Sequence, residues 1–168
     1  VDRENLKAFT GRHRTPQMEL AEELDIGDYP NPAGGCRLTE PNFARRVKDL
    51  RDHGELELND IRLLEVGRHF RLEEEAKLVV GRNHEENLRI EELSRNDDYL
   101  LVARSFPGPT TLGRGDFDEE LLQIGARITA RYGKGKNEPR LVIDVTGPRT
   151  VEITTRPAED EELEQYRL

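Results

Sequence analysis

The sequence predicts an α+β domain, a mixed or antiparallel sheet with helices on one face, preceded by a small helical segment. Three observations carry this expectation. Short groups of Leu, Ile and Val with strand-like patterning recur through residues 59–156; at least two helical patterns, each opened by a capping residue, interrupt those groups; and two further helical patterns precede residue 58. With 168 residues, 34% of them hydrophobic, the chain suffices for one compact domain and a short appendage.

The elements follow in order. Thr15 and Pro16 read as N-cap and first helical residue, and Met18, Ala21 and Leu24 share one face until Gly27. The breaker-rich stretch from Asp28 to Cys36 is a loop, after which Thr39 is expected to cap a second helix with Pro41 in its first turn, lined by Phe43, Val47 and Leu50 and ended at Gly54. Ile61–Val66 and His69–Leu72 read as short strands separated by Gly67, and Lys77–Val80 as another. Asn83 then caps a helix with Glu86 at the third position of a capping box, and Leu88, Ile90 and Leu93 supply its apolar side. Tyr99–Ala103 is strand-like, and Pro107-Gly108-Pro109 turns the chain. Asp116 or Asp118 opens a stronger helix through Leu121, Ile124, Ile128 and Tyr132, ended by Gly133. Leu141–Val145 and Thr150–Thr154 form a hairpin about Gly147-Pro148, and the acidic end from Pro157 is expected to be frayed or helical at the surface. Domain bounds follow at 1–58, 59–156 and 157–168.

Composition narrows the functional classes. No apolar run approaches the ~20 residues of a membrane span, and one cysteine, Cys36, makes no internal disulfide, which fits a cytoplasmic chain. The chain opens on Val1 and its single methionine is Met18, so it reads as a fragment. Net charge is −9, yet residues 61–156 are nearly neutral, with 16 basic against 17 acidic side chains. Screening over about 8–10 Å makes that local balance more relevant to an anionic partner than the total.

Several constellations bear on chemistry. Cys36 follows two glycines and precedes Arg37, a setting that lowers a thiol pKa and suits a nucleophile or persulfide carrier; the alternative is a small buried filler. As a strand, residues 67–71 place Arg68 with Phe70 on one side and His69 with Arg71 on the other, either a basic hydrogen-bonding face or a solvated one. Arg82, Asn83 and Asn87 join a strand end to a helix start, where backbone N–H groups receive a phosphate or where Glu85 and Glu86 already satisfy them. Gly113-Arg114-Gly115 and Gly133-Lys134-Gly135-Lys136 read as flexible basic turns able to meet a phosphate. The four histidines lack metal-ligand spacing with Cys36, so no metal site is expected, and no nucleotide-binding glycine loop is present.

Taken together, His69–Leu72, Lys77–Asn83 with Asn87 four residues on, Phe106–Thr110, the helix ending in Ala130-Arg131-Tyr132 and the closing hairpin resemble the NFACT-R RNA-binding domain over roughly residues 60–155. The resemblance implies an α+β sheet domain that engages RNA. In that family the proline-glycine segment usually runs on into Ser-His, where this chain has Pro109-Thr110. The stretches Gly11–Leu24 and Tyr29–Phe43 are similar to the C-terminal edge of a PP-loop ATPase of the tRNA thiouridylase type, in which a cysteine placed like Cys36 carries or releases persulfide sulfur. The family's Gly-Ile-Cys-Phe context is here Gly-Gly-Cys-Arg.

That resemblance implies an RNA-holding module of a tRNA sulfur-transfer enzyme, with tRNA or another structured RNA as partner, a sulfur-donor protein as a second partner, and neither membrane nor DNA. No cofactor is expected within these residues; ATP and Mg would serve a preceding domain. Arg68, His69, Arg71, Arg82, Asn83, Asn87, Arg114, Lys134 and Lys136 form the expected RNA contact set, and Cys36 the expected sulfur carrier. The competing readings are a protein-interaction or structural module and an RNA- or ribosome-associated module without enzymatic role.

Overall fold

The computed structural model describes residues 15–27, 37–54 and 57–168. The chain divides into two compact units, Val1–Cys36 and Arg37–Leu168. In the first, helix α1 spans Thr15–Glu23, starting where Thr15-Pro16 predicts, and buries none of its residues. The second unit holds every other element: α2 (Pro41–His53), α3 (Leu58–Leu63), β1 (Arg68–Glu73), β2 (Ala76–Val80), α4 (His84–Leu93), β3 (Tyr99–Ala103), β4 (Thr111–Gly115), α5 (Glu119–Arg131), β5 (Leu141–Thr146), β6 (Val151–Thr155) and α6 (Asp160–Glu164).

Two local expectations need correction at the start of this unit. Pro41 takes the first helical position of α2, so Glu40 and not Thr39 is the N-cap; Thr39 closes a short 3-10 turn, Arg37–Thr39. The stretch expected as a strand at Ile61–Val66 is instead α3 and the turn that follows it. A pleated strand would point Leu63 and Leu64 to opposite sides, whereas the end of α3 buries both and leaves Ile61 exposed.

The sheet is six-stranded and antiparallel, in the order β1-β2-β4-β3-β5-β6. Strands β5 and β6 form the expected hairpin. Strand β4 was expected as a flexible turn at Gly113-Arg114-Gly115, and it lies in the middle of the sheet. Its glycines are there because neighbours press close: a Cβ on Gly113 would meet the Phe117 ring at 3.0 Å, and one on Gly115 would stand 1.7 Å from the Glu75 carbonyl oxygen. The signal for a flexible loop was in fact a signal for close packing.

Helices cover both faces of the sheet, not one. On the first face, α5 brings Leu122, Ala126 and Ile128 onto Leu78, Leu101 and Ile143. Its N-cap is Asp118, whose carboxylate accepts from the Leu121 N–H at 2.8 Å. On the second face, Leu63 of α3 and Ile90 and Leu93 of α4 close over Val79 and Leu112. The acidic end is helical as expected and firmly docked: Leu163 is buried in the first core, the Arg71 N–H donates to the Tyr166 carbonyl at 2.8 Å, and the Leu168 N–H donates to that of His69 at 3.0 Å. These last residues cover the free edge of β1, which would otherwise present unpaired backbone groups.

Candidate nucleic-acid interface

The register gives the sheet two ends of different character. Arg68 faces Val80 across β1 and β2, Val80 faces Thr111 of β4, and β5 begins beyond the end of β3. This end therefore gathers Arg68, the segment 81–83, the Pro107-Gly108-Pro109 turn and Arg140. The α5–β5 loop joins it, since the Lys134 N–H donates to the Pro107 carbonyl at 2.8 Å. The opposite end carries Glu73, Glu74 and Glu75 at the β1–β2 turn, Asp97 before β3 and Asp116 after β4. An anionic chain thus has a cationic rim at one end of its sheet.

Of the expected contact set, Arg68, Arg82, Asn83, Asn87, Lys134 and Lys136 reach this rim. Lys134 and Lys136 are exposed and form no ion pair among the described residues; neither does Arg140, which the sequence reading passed over. The signal for Arg140 was available as a third cation in the run leading into a predicted strand. Gly135 fixes that run in place: a Cβ there would lie 2.4 Å from a Leu141 methyl and 2.9 Å from the Phe106 ring.

Asn87 builds the rim from within. Its side-chain carbonyl accepts from the Thr110 N–H at 3.1 Å, and its amide donates to the Gly108 carbonyl at 3.3 Å, so one side chain holds both sides of the Pro-Gly-Pro turn. Gly81 permits this, because a Cβ there would sit 2.0 Å from the Asn87 oxygen. Asn83 caps α4, accepting from the Glu86 N–H at 2.9 Å. The Glu86 carboxylate takes the Arg82 N–H at 2.9 Å, the Gly67 N–H at 3.2 Å and the Arg82 guanidinium. Its hydrogen bonds with Arg82 hold it below the usual carboxylate range. At this strand-helix junction the Arg82 guanidinium is engaged by the Glu86 carboxylate and the Glu86 N–H by the Asn83 side chain, as the intramolecular reading expects.

His69, Arg71 and Arg114 are placed elsewhere. His69 is fully buried, with Nε2 donating to the Val66 carbonyl at 2.8 Å and Nδ1 without a hydrogen-bond partner among the described residues. Burial, with Lys77 and Arg46 nearby, pushes its pKa well below the ordinary value, so it stays neutral. Arg71, Lys77 and Arg114 stand directly opposite one another across β1, β2 and β4. Like charges in such a row repel unless carboxylates intervene. Asp49 of α2 receives both Arg71, at 2.8 Å, and Lys77, at 2.9 Å, while Arg114 meets Asp60 and Asp98, each at 2.6 Å. Burial of Asp49 raises its pKa, but hydrogen bonds from Arg71 and Lys77 outweigh that and take it from 3.8 down to about 2. The basic face expected of His69 and Arg71 is a covered, charge-compensated seam that joins the sheet to α2 and α3. Cys36 lies outside the described residues.

Sheet and covering helices define an α+β domain, and sequence comparison gives its family. Residues 67–167 match the model of the NFACT protein RNA binding domain, and the chain belongs to that family. Among solved structures it is similar to the C-terminal part of the fibronectin/fibrinogen-binding protein from Streptococcus suis, with a TM-score of 0.53 at 14% identity over 90% of this chain and 72% of that one, a likeness of fold. No curated protein matches the chain.

Proposed function

We propose that the chain binds structured RNA, tRNA first among candidates, along the rim formed by Arg68, Lys134, Lys136 and Arg140. The observation that carries this is the set of exposed cations in the α5–β5 loop, without an ion pair among the described residues and held beside a turn that Asn87 fixes, at the end of the sheet opposite the acidic one. Membership of an RNA-binding family supports it. Such cations displace the counterions condensed on a phosphate backbone, so affinity falls steeply as salt rises. Filter binding of tRNA to the full chain at two salt concentrations tests the reading. The triple variant Lys134→Glu, Lys136→Glu, Arg140→Glu should bind weakly and show a shallower salt dependence. Absence of tRNA binding, or binding that ignores salt, would move the function to protein interaction, and binding that survives the triple variant would remove these three cations from the RNA contact.

The finer part of the proposal is that the chain serves as the RNA-holding module of a tRNA sulfur-transfer enzyme in the cytoplasm, with Cys36 as sulfur carrier. What supports it is the sequence likeness of Gly11–Leu24 and Tyr29–Phe43 to the edge of a thiouridylase domain. A thiolate at Cys36 would hold sulfur as a persulfide delivered by a donor protein, while ATP and Mg acted in a preceding domain. Cys36→Ser in the intact protein should abolish tRNA thiolation and leave tRNA binding unchanged; retained thiolation removes Cys36 from the chemistry.

A further inference from the structure

Arg68 opens β1 and, by strand alternation, shares the face of Phe70 and Leu72 that looks toward α5. Beside it stands Tyr132, the C-cap of α5. The three side chains form a column leading out of the core. Phe70 is completely buried; the Tyr132 ring lies over it with centroids 6.1 Å apart; and the Arg68 guanidinium carbon lies 4.6 Å from the Tyr132 centroid. Tyr132 is held from its other end as well, since its hydroxyl accepts from Arg167 at 2.9 Å, and Arg167 is in turn paired with Glu164.

Arg68 differs from the arginines around it. Arg82, Arg104, Arg131 and Arg167 are each engaged by a carboxylate, whereas Arg68 is half-buried with an aromatic ring beneath it and no ion-pair partner among the described residues. A guanidinium laid on a ring is planar, weakly hydrated and restricted in its motion, and its N–H edges remain free. Bases that leave the stack in RNA loops and bulges settle on aromatic rings or on guanidinium planes of this kind, which a base within a duplex does not need.

We propose that the Phe70-Tyr132-Arg68 column is a preformed platform for one unpaired RNA base, which stacks on the outer face of Arg68 while the N–H edges meet a phosphate or a base-edge acceptor. Two residues beyond Tyr132, Lys134 begins the cationic run, so the platform adjoins the path assigned to the backbone. This inference rests on the RNA-binding reading and adds the kind of RNA: a structured molecule with an exposed loop or bulge, and not a continuous duplex.

Fluorescence anisotropy with the full chain tests it, using an RNA hairpin with an unpaired loop and the same hairpin with abasic loop nucleotides. The wild-type chain should prefer the intact loop by about ten-fold, the scale of one stacked base. Arg68→Lys keeps the charge and loses the plane, so it should erase that preference, and the variant should bind the intact and the abasic hairpin equally. Equal wild-type affinity for the two hairpins would overturn the platform and leave RNA binding standing. A preference that persists in Arg68→Lys would assign the base to another surface and overturn it too. Failure of both hairpins to bind would overturn the RNA-binding reading itself. The wild-type comparison requires no variant, so it decides even where the substitution perturbs the fold.

Discussion

Arg71, Lys77 and Arg114 cross the middle of the sheet in one row, while Arg68, Lys134, Lys136 and Arg140 stand along its rim. The residue types are the same, but the settings differ. Each cation of the row meets a carboxylate from a covering helix or loop, with Lys77 buried and Arg71 and Arg114 partly buried. Among the described residues the rim cations are matched by no carboxylate. Buried cations attract their own counterions within the fold, because an unpaired charge away from water is costly, whereas exposed cations can be left for a partner at little cost. A cluster of cations in a sequence therefore reports function only when the fold leaves it unmatched.

The comparison breaks first at Asp49, which serves two cations at once. Asp49→Ala should leave Arg71 and Lys77 unpaired under α2 and cost about 3–5 kcal/mol, read by urea denaturation. A loss under about 1 kcal/mol, ordinary for an exposed pair, would mean that the row is solvated and resembles the rim. Acid sharpens the same point. The Asp49 pKa is depressed in the folded chain, so its contribution to stability is complete above about pH 4 and is lost as pH falls toward 2. Asp49→Asn should flatten the stability profile across that interval. Asn87→Ala comes next, since it strands the Thr110 N–H and the Gly108 carbonyl, with an expected loss of about 1–3 kcal/mol and weakened RNA binding through a loosened turn.

The distinction between row and rim was only half legible in the sequence. Local signals served well: the Asn83 and Asp118 caps, the helical spacing of Leu121 to Tyr132 and the β5–β6 hairpin all depend on neighbours a few residues apart. The row depends on pairs far apart in the chain: 22 residues separate Arg71 from Asp49, 28 separate Lys77 from Asp49, and 54 separate Arg114 from Asp60. No local pattern announces such pairs, so Arg71 and Arg114 looked as available as Lys134. The glycines flanking Arg114 pointed the wrong way for a related reason, since the Phe117 ring and the Glu75 carbonyl that require them were not visible as neighbours. Leu63 and Leu64 misled because a short apolar run fits a strand and the end of a helix equally.

The smallest effect expected on stability is the most informative about function. Reversing Lys134, Lys136 and Arg140 to Glu disturbs no ion pair among the described residues, and each residue is exposed, so every substitution should change unfolding free energy by no more than about 0.5 kcal/mol. The backbone bond from Lys134 to Pro107 and the packing of Gly135 do not involve the altered side chains, so the loop keeps its place. Thermal denaturation of the triple variant should therefore follow that of the parent chain while tRNA affinity falls. A large loss of stability would show that these cations are matched inside the fold after all, as in the row. An unchanged fold with unchanged affinity would show them to be free cations that no partner uses.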